Sequence, residues 1–261
     1  MNTKQISIVI LFLLLGSLFA TQVSTADFES LIWKLTNAER AKHNLPPLAY
    51  DEGLAKLARL HSKNMQDAHF FDHKDKQGRF VNDRKKIYYP QLLISSIGEN
   101  LARFYNTEGY FTAEEIIRGW MNSPLHRENI LNPNFTHLGV GVINHKGLLL
   151  ATQNFATAIV KLQTPIPRRV KLKKKLILDF EYMSPQAPEK LIASLSFPKK
   201  EQLYQVSRTY YCIGSMPVTI KWLDSTHFRV ELEFIADKGE YELNFGFGGG
   251  YYEEGITLKV K

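Results

Sequence analysis

Eight histidines and one cysteine, Cys212, limit the chemistry open to this chain of 261 residues. A lone thiol cannot close an intramolecular disulfide, and it cannot complete a Cys-based zinc motif, which needs several cysteines at set spacings. The sequence has no Gly-rich phosphate loop, no His-Glu-x-x-His pair and no serine elbow. Imidazoles and carboxylates are what remain. His61 falls on a helical apolar stripe with Leu54, Leu57, Ala58 and Met65, which predicts a core or cleft-edge side chain rather than a ligand. His43, His145 and His227 lie in or beside turns and are expected at the surface, whereas His69 and His137 carry no such argument.

Helices and strands must position these groups. Phe28, Leu31, Ile32, Leu35 and Ala38 have helical spacing, and the His61 stripe repeats it after the Leu45-Pro46-Pro47 break. A third helix is expected from Thr112, whose hydroxyl can cap it while Glu115 reaches back, with Ile116, Ile117 and Trp120 on the apolar side. Ser123-Pro124 restarts the chain into a short helix through Leu131. His137–Ile143 and Leu148–Phe155, joined by Asn144–Gly147, read as a hairpin. Helices followed by an antiparallel sheet give an α+β class.

The first residues read as a secretory leader: Lys4 supplies a positive charge, Ile6 to Leu15 is almost wholly apolar, and Ser24-Thr25-Ala26 offers small residues for cleavage. Residues 1–26 are therefore expected to be removed, which leaves no transmembrane anchor. The formal net charge is +7, from 33 Lys and Arg against 26 Asp and Glu, an excess that does not indicate a nucleic-acid partner.

Pro165-Ile166-Pro167 is a stiff break that divides the mature chain at 27–164 and 165–261. After it comes a basic run, Arg168 to Lys175, in which Val170 and Leu172 partly alternate with cations, as on the wet face of a strand. Gln205–Ile213, Pro217–Trp222, Phe228–Ile235, Glu240–Phe247 and Ile256–Lys261 are strand candidates, with Leu191–Phe197 a weaker one. This pattern predicts a mostly antiparallel β-sandwich-like domain. Gly246 to Tyr252 reads as an aromatic-bearing glycine loop.

Seven phrases in the first half carry a resemblance. They are Leu35-Thr-Asn-Ala-Glu-Arg40, Ala58-Arg-Leu-His-Ser-Lys-Asn-Met65, Phe70-Phe-Asp-His73, Gly98-Glu-Asn-Leu-Ala102, Trp120 to Leu131, Gly139-Val-Gly-Val142 and Thr152-Gln-Asn-Phe155. Residues from about 27 to 156 resemble the CAP superfamily, also called the SCP domain, with its cysteine-rich secretory, venom-allergen and pathogenesis-related members, and are most similar to its bacterial secreted type. The resemblance implies an α-β-α sandwich and does not reach residues 165–261.

It also implies a cleft in which His73, Glu99 and His126 match the family's first histidine, first glutamate and second histidine. The second glutamate of the longer members has no counterpart in Trp120-Met-Asn-Ser123. Such a trio allows three roles: a hydrogen-bonded polar cluster, a site for zinc or another divalent cation, or a catalytic centre. Asn100, Asn129 and Gln153 belong to matching phrases and, with Arg84, are expected to tie loops together. The resemblance implies a secreted or periplasmic protein, a binding module with a His/Glu cleft, whose partner is a cell-envelope component, protein or lipid. The alternatives are a metal-assisted hydrolase of envelope peptide or glycan, against which stands the absence of a nucleophile beside a base, and a lipid carrier, which needs an apolar groove.

Overall fold

The first helix, α1 (Thr25–Lys42), is capped by Ser24, whose hydroxyl accepts from Asp27 N at 3.1 Å. The structure, a computed structural model, describes residues 24–108, 110–206 and 208–261, so nearly all of the expected leader lies outside the described residues. On α1 the buried positions are Glu29, Ile32, Thr36 and Arg40, a more polar face than the apolar spacing predicts. The charges are tolerated there because each is satisfied internally. Glu29 accepts from Val142 N at 2.9 Å and pairs with Arg59, while Arg40 donates to the carbonyls of Pro46, Ile130 and Asn132 at 2.8–2.9 Å.

Next come β1 (Ala49–Tyr50) and α2 (Glu52–Asp67), the latter capped by Asp51. The expected stripe of α2, His61 included, is buried. The short helix α3 (Val81–Tyr88) and the long strand β2 (Leu92–Tyr105) follow, and neither is foreseen by apolar periodicity. Helix α4 (Ala113–Asn122) has the capping box expected of Thr112 and Glu115, and α5 (Pro124–Leu131) starts at the expected proline. The hairpin β3 (His137–His145) and β4 (Leu148–Leu162) turns at Lys146 and Gly147, both at positive φ.

In the large seven-stranded sheet β4 is central. One edge pairs with β2 along almost its whole length; the other pairs first with β3 and then, at Val160–Leu162, with β5 (Lys175–Tyr182). Helix α2 lies so close to β3 that an added Cβ at Gly139 or Gly141 would stand 2.1 or 2.0 Å from α2 backbone nitrogens. Alternation sends Val140 and Val142 to the opposite face, where they pack with Ile32 of α1 and with Ile116, Ile117 and Trp120 of α4. The result is an α-β-α sandwich.

The chain continues through β6 (Leu191–Ser196), β7 (Leu203–Gln205), β8 (Tyr211–Ile213), β9 (Ser215–Val218), β10 (Ile220–Trp222), β11 (His227–Glu233), β12 (Gly239–Phe247), β13 (Gly250–Tyr251) and β14 (Ile256–Val260). Strands β5, β11 and β10 extend the large sheet; β13, β12, β6, β9 and β14 make a second one. Rings fill the space between the two: Phe180 and Phe228 stack at 5.2 Å, with Phe245 edge-on to Phe180 at 5.0 Å. Leu93, Ile159, Val160 and Leu162, which precede the proline break, belong to this same core.

Two expectations for this half change. Gln205–Ile213 is a hairpin, with Leu203 opposite Ile213, because Tyr204 and Cys212 turn to the core while the outer face stays exposed. Pro217–Trp222 is two strands in different sheets, β9 on β6 and β10 on β11. In the basic run Val170 is buried and bridges to Val260, and only Lys175 lies within a strand. Fully buried Lys85 of α3 forms an ion pair with Glu254, which lies between β13 and β14. Among the described residues no helix is long and apolar enough to cross a membrane.

Candidate functional site

Glu99 sits on β2 directly opposite Asn154 of β4, and Asn100 directly opposite Gln153. Glu99 is buried, its side chain almost wholly so, and each carboxylate oxygen therefore needs a partner. Oε1 accepts from His73 Nδ1–H at 2.9 Å. Oε2 accepts from the fully buried guanidinium of Arg84, and from Asn154, whose amide nitrogen faces it at 3.2 Å. Arg84 also donates to the carbonyls of His73 at 2.7 Å and Arg79 at 2.8 Å, which fastens both ends of the loop that carries His73. His61, wholly buried beneath this loop, donates from Nε2 to the Asp72 carbonyl at 3.0 Å and fixes the residue before His73.

His126 lies on α5 and is tied to β2 through its backbone. Asn100 donates to its carbonyl at 3.0 Å, and Asn129 donates to Asn100 Oδ1 at 2.9 Å. The amide chain continues through Gln153, which accepts from Asn100 at 3.1 Å and donates to Thr36 at 2.7 Å, so α5, β2, β4 and α1 are tied in one buried line. The expected loop-tying roles of Asn100, Arg84, Asn129 and Gln153 are all present as hydrogen bonds. Arg127 and Glu128, beside His126, face solvent.

Electrostatics moves the two cleft imidazoles in opposite directions. The hydrogen bond to Glu99 raises the pKa of His73 above the usual histidine range, with burial opposing. Burial lowers that of His126, and the positive charge on His73 adds to this, so the two rings sense each other. The side chain of His73 is 47% exposed and that of Glu99 only 3%, so the histidine reaches solvent and the carboxylate beneath it does not.

The structure thus joins His73 to Glu99 directly, while His126 is linked to them only by the charge of His73 and by the bond from Asn100 to its backbone carbonyl. Among the described residues no three His, Cys, Asp or Glu side chains are gathered as a ligand set for a metal ion. The physical reason is that both Glu99 oxygens are already engaged, by His73 on one side and by Arg84 and Asn154 on the other. Sequence reasoning did not single out Asn154, although its place in Thr152-Gln-Asn-Phe155 was on view. A cavity of about 510 Å³ lies between α2, the His73 loop and α3, lined by the charged Asp67, Asp75, Lys76 and Arg79 and by the apolar Leu60 and Phe70.

Residues 33–155 match the sequence model of the CAP family, described as the cysteine-rich secretory protein family. The chain is 43% identical over 120 residues to the uncharacterized protein YkwD of Bacillus subtilis, covering 46% of this chain and 44% of that one. It is 38% identical over 114 residues to the uncharacterized membrane protein YlbC of the same organism, 44% of this chain and 31% of that one. The match therefore spans less than half the length of either relative. Among solved structures, an extracellular SCP-domain protein from Bacillus anthracis shares 35% identity at a TM-score of 0.44, covering 51% of this chain and 41% of that one.

Proposed function

Residues 33–155 belong to the cysteine-rich secretory protein (CAP) family, and from that membership we propose that this chain is a secreted or periplasmic binding protein whose ligand enters the cleft of His73, Glu99 and His126, with the β-rich half, 165–261, attaching it to the cell envelope. The observation that carries the reading is the bond from His73 Nδ1–H to the buried Glu99. It fixes the tautomer and leaves Nε2 turned away from the carboxylate, free to accept from a ligand or to hold a cation.

That geometry gives Glu99 a role different from a direct ligand. A carboxylate holding the far N–H of an imidazole is the usual outer partner of a histidine that binds metal. On this reading a divalent cation such as zinc would be held by the imidazoles of His73 and His126, with Glu99 orienting the first ring. A cation there would supply Lewis acidity, which is what the hydrolase alternative requires. The opposed shifts of the two histidines favour that alternative as far as acid and base roles go, since groups pushed apart in pKa can divide such work.

Calorimetric titration with zinc tests the reading. Because protons compete for imidazole and His73 holds its proton above the usual value of about 6.5, affinity is expected to weaken as pH falls from about 8 to 5, with the decline starting above 6.5. His73→Ala and His126→Ala abolish binding, and Glu99→Gln weakens it about 10–100-fold. Binding that survives both histidine changes overturns the cation site and leaves the cleft as a polar cluster.

A further inference from the structure

The basic run is the feature of the sequence that the cleft does not use, and the fold gives it company. Val260, at the end of β14, pairs with Gly239 on one side and bridges to Val170 on the other. Gly239 in turn lies against Pro198, whose ring carbons would stand 2.7 Å from a Cβ added there. Lys173 N donates to Phe234 O at 3.0 Å, and Lys199 pairs with Asp237 at 2.7 Å. Segments 168–175, 199–201, 233–240 and 259–261 therefore meet at one end of the β-sandwich.

These segments hold eleven lysines and arginines against four carboxylates, an excess of seven that equals the formal net charge of the whole chain. Across the rest of the full sequence the formal charges cancel, so the net positive charge of the chain lies at this end. Among the described residues no carboxylate is paired with the cations of 168–175. Val170 and Leu172 pack into the core and hold that stretch in place while its six cations face water.

The β7–β8 hairpin grows from the same end. Its inner face is anchored by Tyr204, 4.7 Å from Phe197, yet its outer face presents Leu203, Tyr211 and Ile213 at 59%, 51% and 64% exposure. Leu203 and Ile213 are direct cross-strand partners, so the exposed apolar surface is contiguous. An anionic polymer would be recognised by the charges alone. Cations beside outward apolar side chains match a bilayer, whose headgroups take the charge and whose interface takes the side chains.

We propose that this end of the β-sandwich, the basic segment 168–175 together with the outer face of the β7–β8 hairpin, docks onto an anionic lipid bilayer. The proposal rests on the attachment reading above and names the surface that performs it. Neither half of the patch is sufficient alone, because stable anchoring at a membrane takes two weak signals.

The test is co-sedimentation of the protein as secreted with vesicles of phosphatidylcholine alone or with phosphatidylglycerol added. Binding is expected only with the anionic lipid, weakening about fivefold for each cation neutralised in the set Lys171→Gln, Lys173→Gln, Lys174→Gln and Lys175→Gln. Leu203→Ser with Ile213→Ser is expected to weaken it further even at about 0.15 M salt, where charge attraction is screened. Unchanged thermal unfolding of these surface variants confirms that folding is intact. Absence of binding to anionic vesicles overturns the proposal, and so does binding that ignores the apolar pair and is competed away by soluble polyphosphate, which identifies a polymer instead. Sedimentation of the unaltered protein with isolated envelope separates the two levels. Envelope binding without vesicle binding, or envelope binding that these variants leave undiminished, keeps the attachment reading and discards this surface, whereas absence of both kinds of binding in the unaltered protein discards both.

Discussion

Among the described residues, fifteen of the seventeen buried polar or charged residues lie before residue 155, with only Ser194 and Asn244 beyond it, while ten of the thirteen ring contacts fall in the second half. The first half thus sets directional bonds beside its apolar cluster to aim a few side chains, and the β-rich half packs rings whose contacts depend on shape. A polar interior tolerates few substitutions because each lost bond strands a partner. An aromatic interior tolerates change so long as volume is kept. A cleft requires the former; a scaffold presenting an outer surface needs only the latter.

This contrast can be broken by mutation. The largest effect is expected from Arg84→Met, which strands the buried Glu99 carboxylate and should cost about 3–5 kcal/mol in urea unfolding. Adding Glu99→Leu should recover much of that loss, since removing both charges leaves none uncompensated. If the double variant is as unstable as the sum of the single ones, the pair does not act as a unit and the account of the polar interior fails. Phe228→Leu is expected to cost less, about 1–1.5 kcal/mol, because the aromatic core can close around a similar volume. A loss as large as that of Arg84→Met would show the second core to be just as exacting.

The smallest expected effect is in titration. By NMR, the His73 ring should titrate above the ordinary histidine value and His126 below it, and Glu99→Gln should lower the former. For His73 the raised value means that its bond to Glu99 contributes stability fully at pH below the unfolded value of about 6.5, and that this contribution is lost as pH rises through the folded value. For His126 the sign is reversed. Stability is drawn from its neutral form and falls as pH drops through the ordinary value. Coincident titration of the two rings would remove the asymmetry from the cleft.

How much of this was legible depended on what each element buries. The stripe of α2 and the alternation of β11 and β14 could be read because apolar residues occupy the inward positions. Helix α3 could not, since what it buries is Arg84 and Lys85. Strand β2 escaped notice because Glu99 and Asn100 interrupt its apolar pattern with buried polar groups. The cleft residues were legible only through the family phrases: His73, Glu99 and His126 have no local spacing that links them, and only the β2–β4 register and the Arg84 clamp bring the first two together. The division at 164 and 165 remains our proposal, and β4, whose last residues pack into the aromatic core, is where it should be tested by expressing 27–164 and 165–261 separately. A cooperative but less stable second piece is expected, and one that stays unfolded would refute the boundary.

Arg84 and Lys85 are neighbours on an eight-residue helix, yet the first reaches the cleft carboxylate and the second reaches Glu254 near the chain's last strand. This bears on how such a protein can be assembled from parts during evolution or by design. A different β-rich module joined after residue 164 would leave a buried ammonium without its carboxylate, and the helix that absorbs the misfit is the one that holds Glu99. Exchange of modules is therefore constrained at Lys85 as well as in the core that the two halves share. A successful graft would carry an acid at the place of Glu254, or would replace Lys85 with an apolar residue of similar length, before it could inherit a working cleft.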